Sequence, residues 1–113
     1  MKTRPVTGTP SEILVEQLVE SGVKYVFYNS GSREALFFDA LHGNPNIHGI
    51  LALHEGNVTA MAGGYTQVNS EPAVMVVHLG AGLAQCMGQL INVWFGGLPV
   101  VVVTFAGDTG SWG

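Results

Sequence analysis

With 113 residues the chain has room for one domain and not comfortably for two. Its 47% hydrophobic and 11% charged composition excludes an intrinsically disordered segment, since there is ample apolar surface to bury and little charge to oppose burial. A net charge of -4 with four Lys and Arg excludes a nucleic-acid binder, which needs a basic stripe to neutralise phosphates.

The first residues, MKTRPVTGTPSE, carry positive charge with no apolar run behind it and do not read as a secretory signal. Thr9-Pro10-Ser11-Glu12 has the pattern of a helix start, with a Thr or Ser cap and an early proline. Apolar residues at Ile13, Leu14, Leu18 and Val19 give that helix one face, and Ser21-Gly22 stops it. KYVFYNSG predicts a short strand running into a glycine turn. SREALFFDALHG predicts a second amphipathic helix, capped by Ser32 and closed by Gly43. After the loop NPNIHG, ILAL (50–53) predicts the second strand and HEGNVTAMAGGYTQVNS a third helix rich in small residues. PAVMVVHLG then predicts a third strand, AGLAQCMGQLINVWFGG a single fourth helix and LPVVVVTFAG a fourth strand.

Strands alternating with helices imply an α/β fold, a parallel sheet flanked by helices on both faces. The unbroken runs AVMVV and VVVV are what strands covered on both faces look like. The long apolar stretch from Leu90 to Gly107 is broken by Asn92, Gly96-Gly97 and Pro99, so it predicts a helix end, a turn and a strand rather than a membrane span. One cysteine, Cys86, rules out an intramolecular disulfide and suggests a reducing, cytoplasmic compartment.

Ligands of open parallel sheets bind beyond the carboxyl ends of the strands. Here those ends carry Asn29-Ser30-Gly31-Ser32, His54-Glu55, His78-Leu79-Gly80-Ala81-Gly82 and Ala106-Gly107-Asp108. Each of these polar residues is also what an ordinary cap or a satisfied histidine looks like, and it is their gathering on one edge that points to a site. Ten of the twelve formal charges fall in residues 1–55, with Glu71 and Asp108 the only later ones. Glu55 is therefore a lone carboxylate at the head of a nearly neutral half, and such groups are rarely buried without a partner. GAGLAQ is a partial dinucleotide fingerprint that lacks its third glycine and follows the third strand, not the first. GDTG has no second metal ligand behind it, and Gly31-Ser32 lacks the G-x-S-x-G frame of a hydrolase serine.

Three blocks, YNSGSREALFFDAL, ILALHEGNVTAMAGGYTQ and VMVVHLGAGLAQCMGQLINVWFGGLPVVVVTFAG, together resemble the N-terminal, pyrimidine-binding domain of thiamine-diphosphate-dependent decarboxylases and synthases of the benzoylformate decarboxylase and acetolactate synthase kind. The resemblance implies that Glu55 hydrogen-bonds the ring nitrogen of the cofactor's aminopyrimidine and supplies a proton there, its charged form disfavoured by an apolar pocket. The cofactor then serves as electron sink in the decarboxylation or carboligation of a 2-oxo acid. By the same resemblance Gly31 lies at the cofactor, Ser32 contacts the substrate carboxylate, and His78 binds substrate and moves protons around the intermediate. His54, directly before Glu55, is expected to act through it. Three positions depart from the family pattern: Ser30 stands for a proline, Leu79 for a serine after the histidine, and Gly64 for an aspartate before Tyr65. The identity of the 2-oxo acid is therefore left open.

The family's diphosphate and magnesium site lies in a separate C-terminal domain, so residues 1–113 are expected to be an incomplete N-terminal domain needing that domain or subunit. A homo-oligomer is expected, and the fragment alone should neither hold the cofactor tightly nor turn over. The alternative is a non-catalytic homologue that keeps the fold and serves as a partner-binding or regulatory domain.

Overall fold

Thr9 starts the first helix through a reciprocal cap. Its hydroxyl accepts the Glu12 N–H at 3.2 Å, the Glu12 carboxylate accepts the Thr9 N–H at 3.1 Å, and Pro10 brings a preset φ to the first turn. Such a cap contributes about 1 kcal/mol. The computed structural model describes residues 2–106. Its elements are α1 (Pro10–Glu20), β1 (Tyr25–Tyr28), a 3-10 turn (Ser32–Glu34), α2 (Ala35–Gly43), β2 (His48–Leu51), α3 (Glu55–Asn69), β3 (Ala73–Val76), α4 (Ala81–Gln85), α5 (Met87–Gly96) and β4 (Val100–Val103). Asp108 and the GDTG segment lie outside the described residues.

All four strands are parallel and stand in the order β2-β1-β3-β4. Alternation along the strands separates two cores. On one face Val26, Tyr28, Val74 and Val76 pack with Val15 of α1 and Phe37, Phe38 and Leu41 of α2. On the other, Phe27, Ala73, Met75 and Val77 pack with Val58 and Ala62 of α3 and with Leu90 of α5. The α/β architecture with helices on both faces is thus the one expected. Chain direction reverses after β2: β1 connects outward to β2 through α2, whereas α3 carries the chain back over the opposite face to β3. Right-handed crossovers require those opposite faces. The helices that follow β1 and β3 therefore diverge, and the crevice between their first turns is where such sheets bind ligands.

Four local readings differ from the structure. The second strand is His48–Leu51 and not 50–53, because pairing with β1 sets its register, Tyr25 opposite His48 and Tyr28 opposite Leu51. As an edge strand it tolerates a His-Gly start that reads as loop. The second helix begins at Ala35, and Ser32 makes no capping hydrogen bond; a 3-10 turn precedes it, with Glu34 N–H donating to Gly31 O at 3.3 Å. The fourth helix is two helices. At Cys86 both the N–H (3.3 Å) and the thiol (2.9 Å) donate to Leu83 O, replacing the ordinary helical bond with a tighter one. Finally, β3 is buried throughout, but the all-valine β4 is not, and Val101 is 50% exposed. The core beneath α1 and α2 reaches β4 only at Val103.

Helix α5 turns much of its apolar surface outward. Trp94 is 81% and Phe95 83% exposed, with Met87 and Ile91 also open. Leu90, Val93, Trp94, Gly97, Leu98 and Val100 line a groove of about 470 Å³ between α5 and β4. Apolar surface of this extent marks a contact region.

Candidate functional site

The carboxyl edge of the sheet collects the polar residues that the sequence places there. Asn29, just past β1, donates its side-chain N–H to Ala52 O at 2.8 Å and ties the end of β1 to the end of β2. His54 caps α3: its Nδ1 accepts the Gly56 N–H at 2.9 Å. That bond orients the first turn and leaves Glu55 as the opening residue of α3, where the helix dipole favours a negative charge. Glu55 is half-buried at a rim and not enclosed in the apolar pocket expected of it. Its carboxylate makes no hydrogen bond or ion pair among the described residues, while its backbone oxygen accepts the Thr59 hydroxyl at 2.9 Å.

Opposite Glu55 stands Gly82. A Cβ at that position would lie 3.4 Å from Glu55 Oε1 and 3.1 Å from His78 Cβ, so Gly82 keeps the space between the two side chains open. His78 follows β3, and its Nδ1 lies 3.0 Å from both oxygens of Glu34. Glu34 is completely buried, whereas the His78 side chain is 35% exposed. Gly31 closes over this contact: a Cβ there would strike His78 Nδ1 and Glu34 Oε2. Ser32 is exposed beside them. The structure thus brings Gly31, Ser32 and His78 to the crevice between β1 and β3, with Glu55 across Gly82 from His78.

Glu34 was absent from the candidate residues read from the sequence. A signal existed: Glu34, Phe37, Phe38 and Leu41 fall on one helical stripe, the buried one. A carboxylate on an apolar stripe demands a partner, but nothing local names His78, which is 44 residues away.

Cys86 is buried beneath this edge. Burial pushes its thiol above the usual range, opposed by hydrogen bonding with Thr59 and the backbone, and the Glu55 charge adds to the rise. A raised thiol holds little thiolate at neutral pH, so alkylation of Cys86 by iodoacetamide in the native protein should be at least about tenfold slower than in the denatured protein. Peptide mass spectrometry reads that ratio, and equal rates would show the thiol to be accessible.

The family model described as "Thiamine pyrophosphate enzyme, N-terminal TPP binding domain" matches residues 9–113. The chain belongs to this family. This TPP-binding domain is 38% identical over 93 residues, 82% of its length, to the provisionally named acetolactate synthase large subunit IlvX of Mycobacterium tuberculosis, covering 18% of that protein. It is 37% identical over 87 residues to benzoylformate decarboxylase of Pseudomonas aeruginosa, 77% of this chain and 16% of the relative. Among solved structures, the thiamine diphosphate-dependent 4-hydroxybenzoylformate decarboxylase of Rhodococcus jostii RHA1 superposes with a TM-score of 0.86 at 33% identity. That match covers 92% of this chain and 19% of the other. The TPP-binding domain therefore spans less than a fifth of the length of these relatives.

The residues present fit one end of that cofactor. A half-buried carboxylate without a partner among the described residues, facing the gap kept open by Gly82 at a strand's carboxyl end, suits a ring nitrogen able to share a proton. Among the described residues no group of three or more His, Cys, Asp or Glu side chains is arranged to hold a metal ion.

Proposed function

We propose that this domain supplies the pyrimidine-binding half of a thiamine-diphosphate enzyme acting on a 2-oxo acid, by decarboxylation or carboligation. The observation that carries the reading is the Glu55 carboxylate at the first turn of α3, which has no hydrogen-bond or ion-pair partner among the described residues. When bound, the cofactor supplies an electron sink for the bond broken or formed next to the 2-oxo group. Glu55 holds and returns a proton at the pyrimidine ring nitrogen. Ser32, its hydroxyl unused by the helix it precedes, donates a hydrogen bond to the substrate carboxylate. His78 presents its other ring nitrogen to the same crevice as a proton carrier; the lack of a side chain at Gly31 leaves room for the ring, and at Gly82 it leaves open the space between His78 and Glu55.

Magnesium and the diphosphate are held by another domain, beyond the described residues. The open apolar surface of α5 is covered in the assembly by a second subunit, making the enzyme a homo-oligomer. No helix among the described residues is long and apolar enough to cross a membrane. We place the enzyme in the cytoplasm because its one cysteine in this domain is a free thiol.

Thermal melting of the full-length protein tests this reading. Thiamine diphosphate with Mg²⁺, at about 100 times its dissociation constant, is expected to add about 2.7 kcal/mol of stability and raise the melting temperature by several degrees. An unchanged melting temperature would overturn the cofactor assignment and favour the partner-binding alternative.

A further inference from the structure

We propose that Glu34 is a positioning residue for His78, gripping Nδ1 so that the ring is held in one tautomer with Nε2 aimed at the crevice. Three observations converge on it. Glu34 has no solvent exposure, on a stripe otherwise occupied by Phe37, Phe38 and Leu41. A buried carboxylate is retained only where something pairs with it. The pairing is symmetric, with His78 Nδ1 at 3.0 Å from Oε1 and from Oε2, and no other described side chain hydrogen-bonds the carboxylate. Gly31 seals the contact, since any side chain there would strike both partners, so water does not replace either one easily.

The consequence for the imidazole is chemical. An ionised carboxylate only accepts, so Nδ1 must carry its proton to meet it. In a neutral ring Nε2 is then the acceptor, and which nitrogen does which is set by the bond the other one makes. Nε2 makes no hydrogen bond to any described residue, and the ring is the solvent-reaching member of the pair. The two residues come from the segments that follow β1 and β3, the two sides of the crevice, so the grip also fixes where those segments meet. The use made of the aimed ring rests on the function proposed above; the grip itself does not.

The test uses the full-length protein with ring-¹⁵N-labelled histidine, the His78 signals being assigned by their loss in His78→Gln. The expected result is a proton on Nδ1 of His78 and a measurable share of it moved to Nε2 in Glu34→Gln, whose neutral amide oxygen accepts more weakly than a carboxylate. An Nδ1 proton held as fully in Glu34→Gln as before overturns the grip. A ring carrying its proton on Nε2 alone in the unsubstituted protein overturns the proposal, and that reading holds even if Glu34→Gln does not fold. Turnover is the second readout. Glu34→Gln should lower kcat by roughly 10–100-fold with KM changed by less than about threefold, a part of the 10²–10⁴ that an acid–base group contributes. Full kcat in a Glu34→Gln enzyme whose His78 tautomer has changed overturns the positioning role while leaving the cofactor assignment, read by melting, intact.

Discussion

Replacing Glu55 by glutamine in the full-length protein should lower the turnover proposed above by at least about 100-fold, the lower end of what a positioned proton-transfer group contributes. The same substitution should leave the fold unchanged. Glutamine is nearly isosteric, and among the described residues Glu55 makes no hydrogen bond or ion pair through its carboxylate that the fold would lose. What does disappear is a negative charge at the first turn of α3, worth about 0.3–1 kcal/mol at a helix N-terminus. Stability and turnover are therefore separable at this position. Steady-state kinetics beside a melting curve reads both. A Glu55→Gln enzyme with undiminished kcat would refute the role given to the carboxylate, and a large fall in melting temperature would show that it is structural.

At His78 a large effect is expected in stability, beside any loss of turnover. His78→Leu leaves Glu34 buried with nothing to pair with, and breaking a buried pair by removing one partner costs about 3–5 kcal/mol. Because the His78 side chain is partly open to solvent, a value near 3 kcal/mol is expected. Hydrogen exchange is the suitable probe, since it reports opening strand by strand. Amides of β1 and β3 should exchange about 100-fold faster in His78→Leu, at about 1.4 kcal/mol for each tenfold. Replacing Glu34 by leucine as well should recover much of the loss, because two apolar groups leave no stranded charge. Unchanged exchange in His78→Leu would mean that Glu34 does not depend on the imidazole.

Local chemistry was enough to read much of this chain. The Thr9-Pro10-Ser11-Glu12 cap, the β-branched run of β3 and the alternation of strands with amphipathic helices each follow from neighbouring residues, and each is found where it was expected. The positions of Glu55 and His78 at the carboxyl edge follow too, because in a parallel sheet every strand's end lies at the same side. The family was legible from the same three blocks of sequence, since their order and spacing survive as a linear pattern.

What stayed hidden depends on contacts between distant segments. The start of β2 is decided by pairing with Tyr25 and Tyr28, not by the composition of His48-Gly49. The break at Cys86 comes from a thiol competing for Leu83 O, and the open side of β4 from how far the α1–α2 core extends. Most of all, the linear pattern showed Ser32 as a cap and passed over Glu34, because the partner that makes a buried carboxylate tolerable lies across the sheet. The amino-acid sequence by itself determined the α/β class, the order of elements and the edge that carries the polar residues. Only the tertiary structure decided that Glu34, Gly31 and His78 interlock there, because the cost of burying a charge is set by what surrounds it in space.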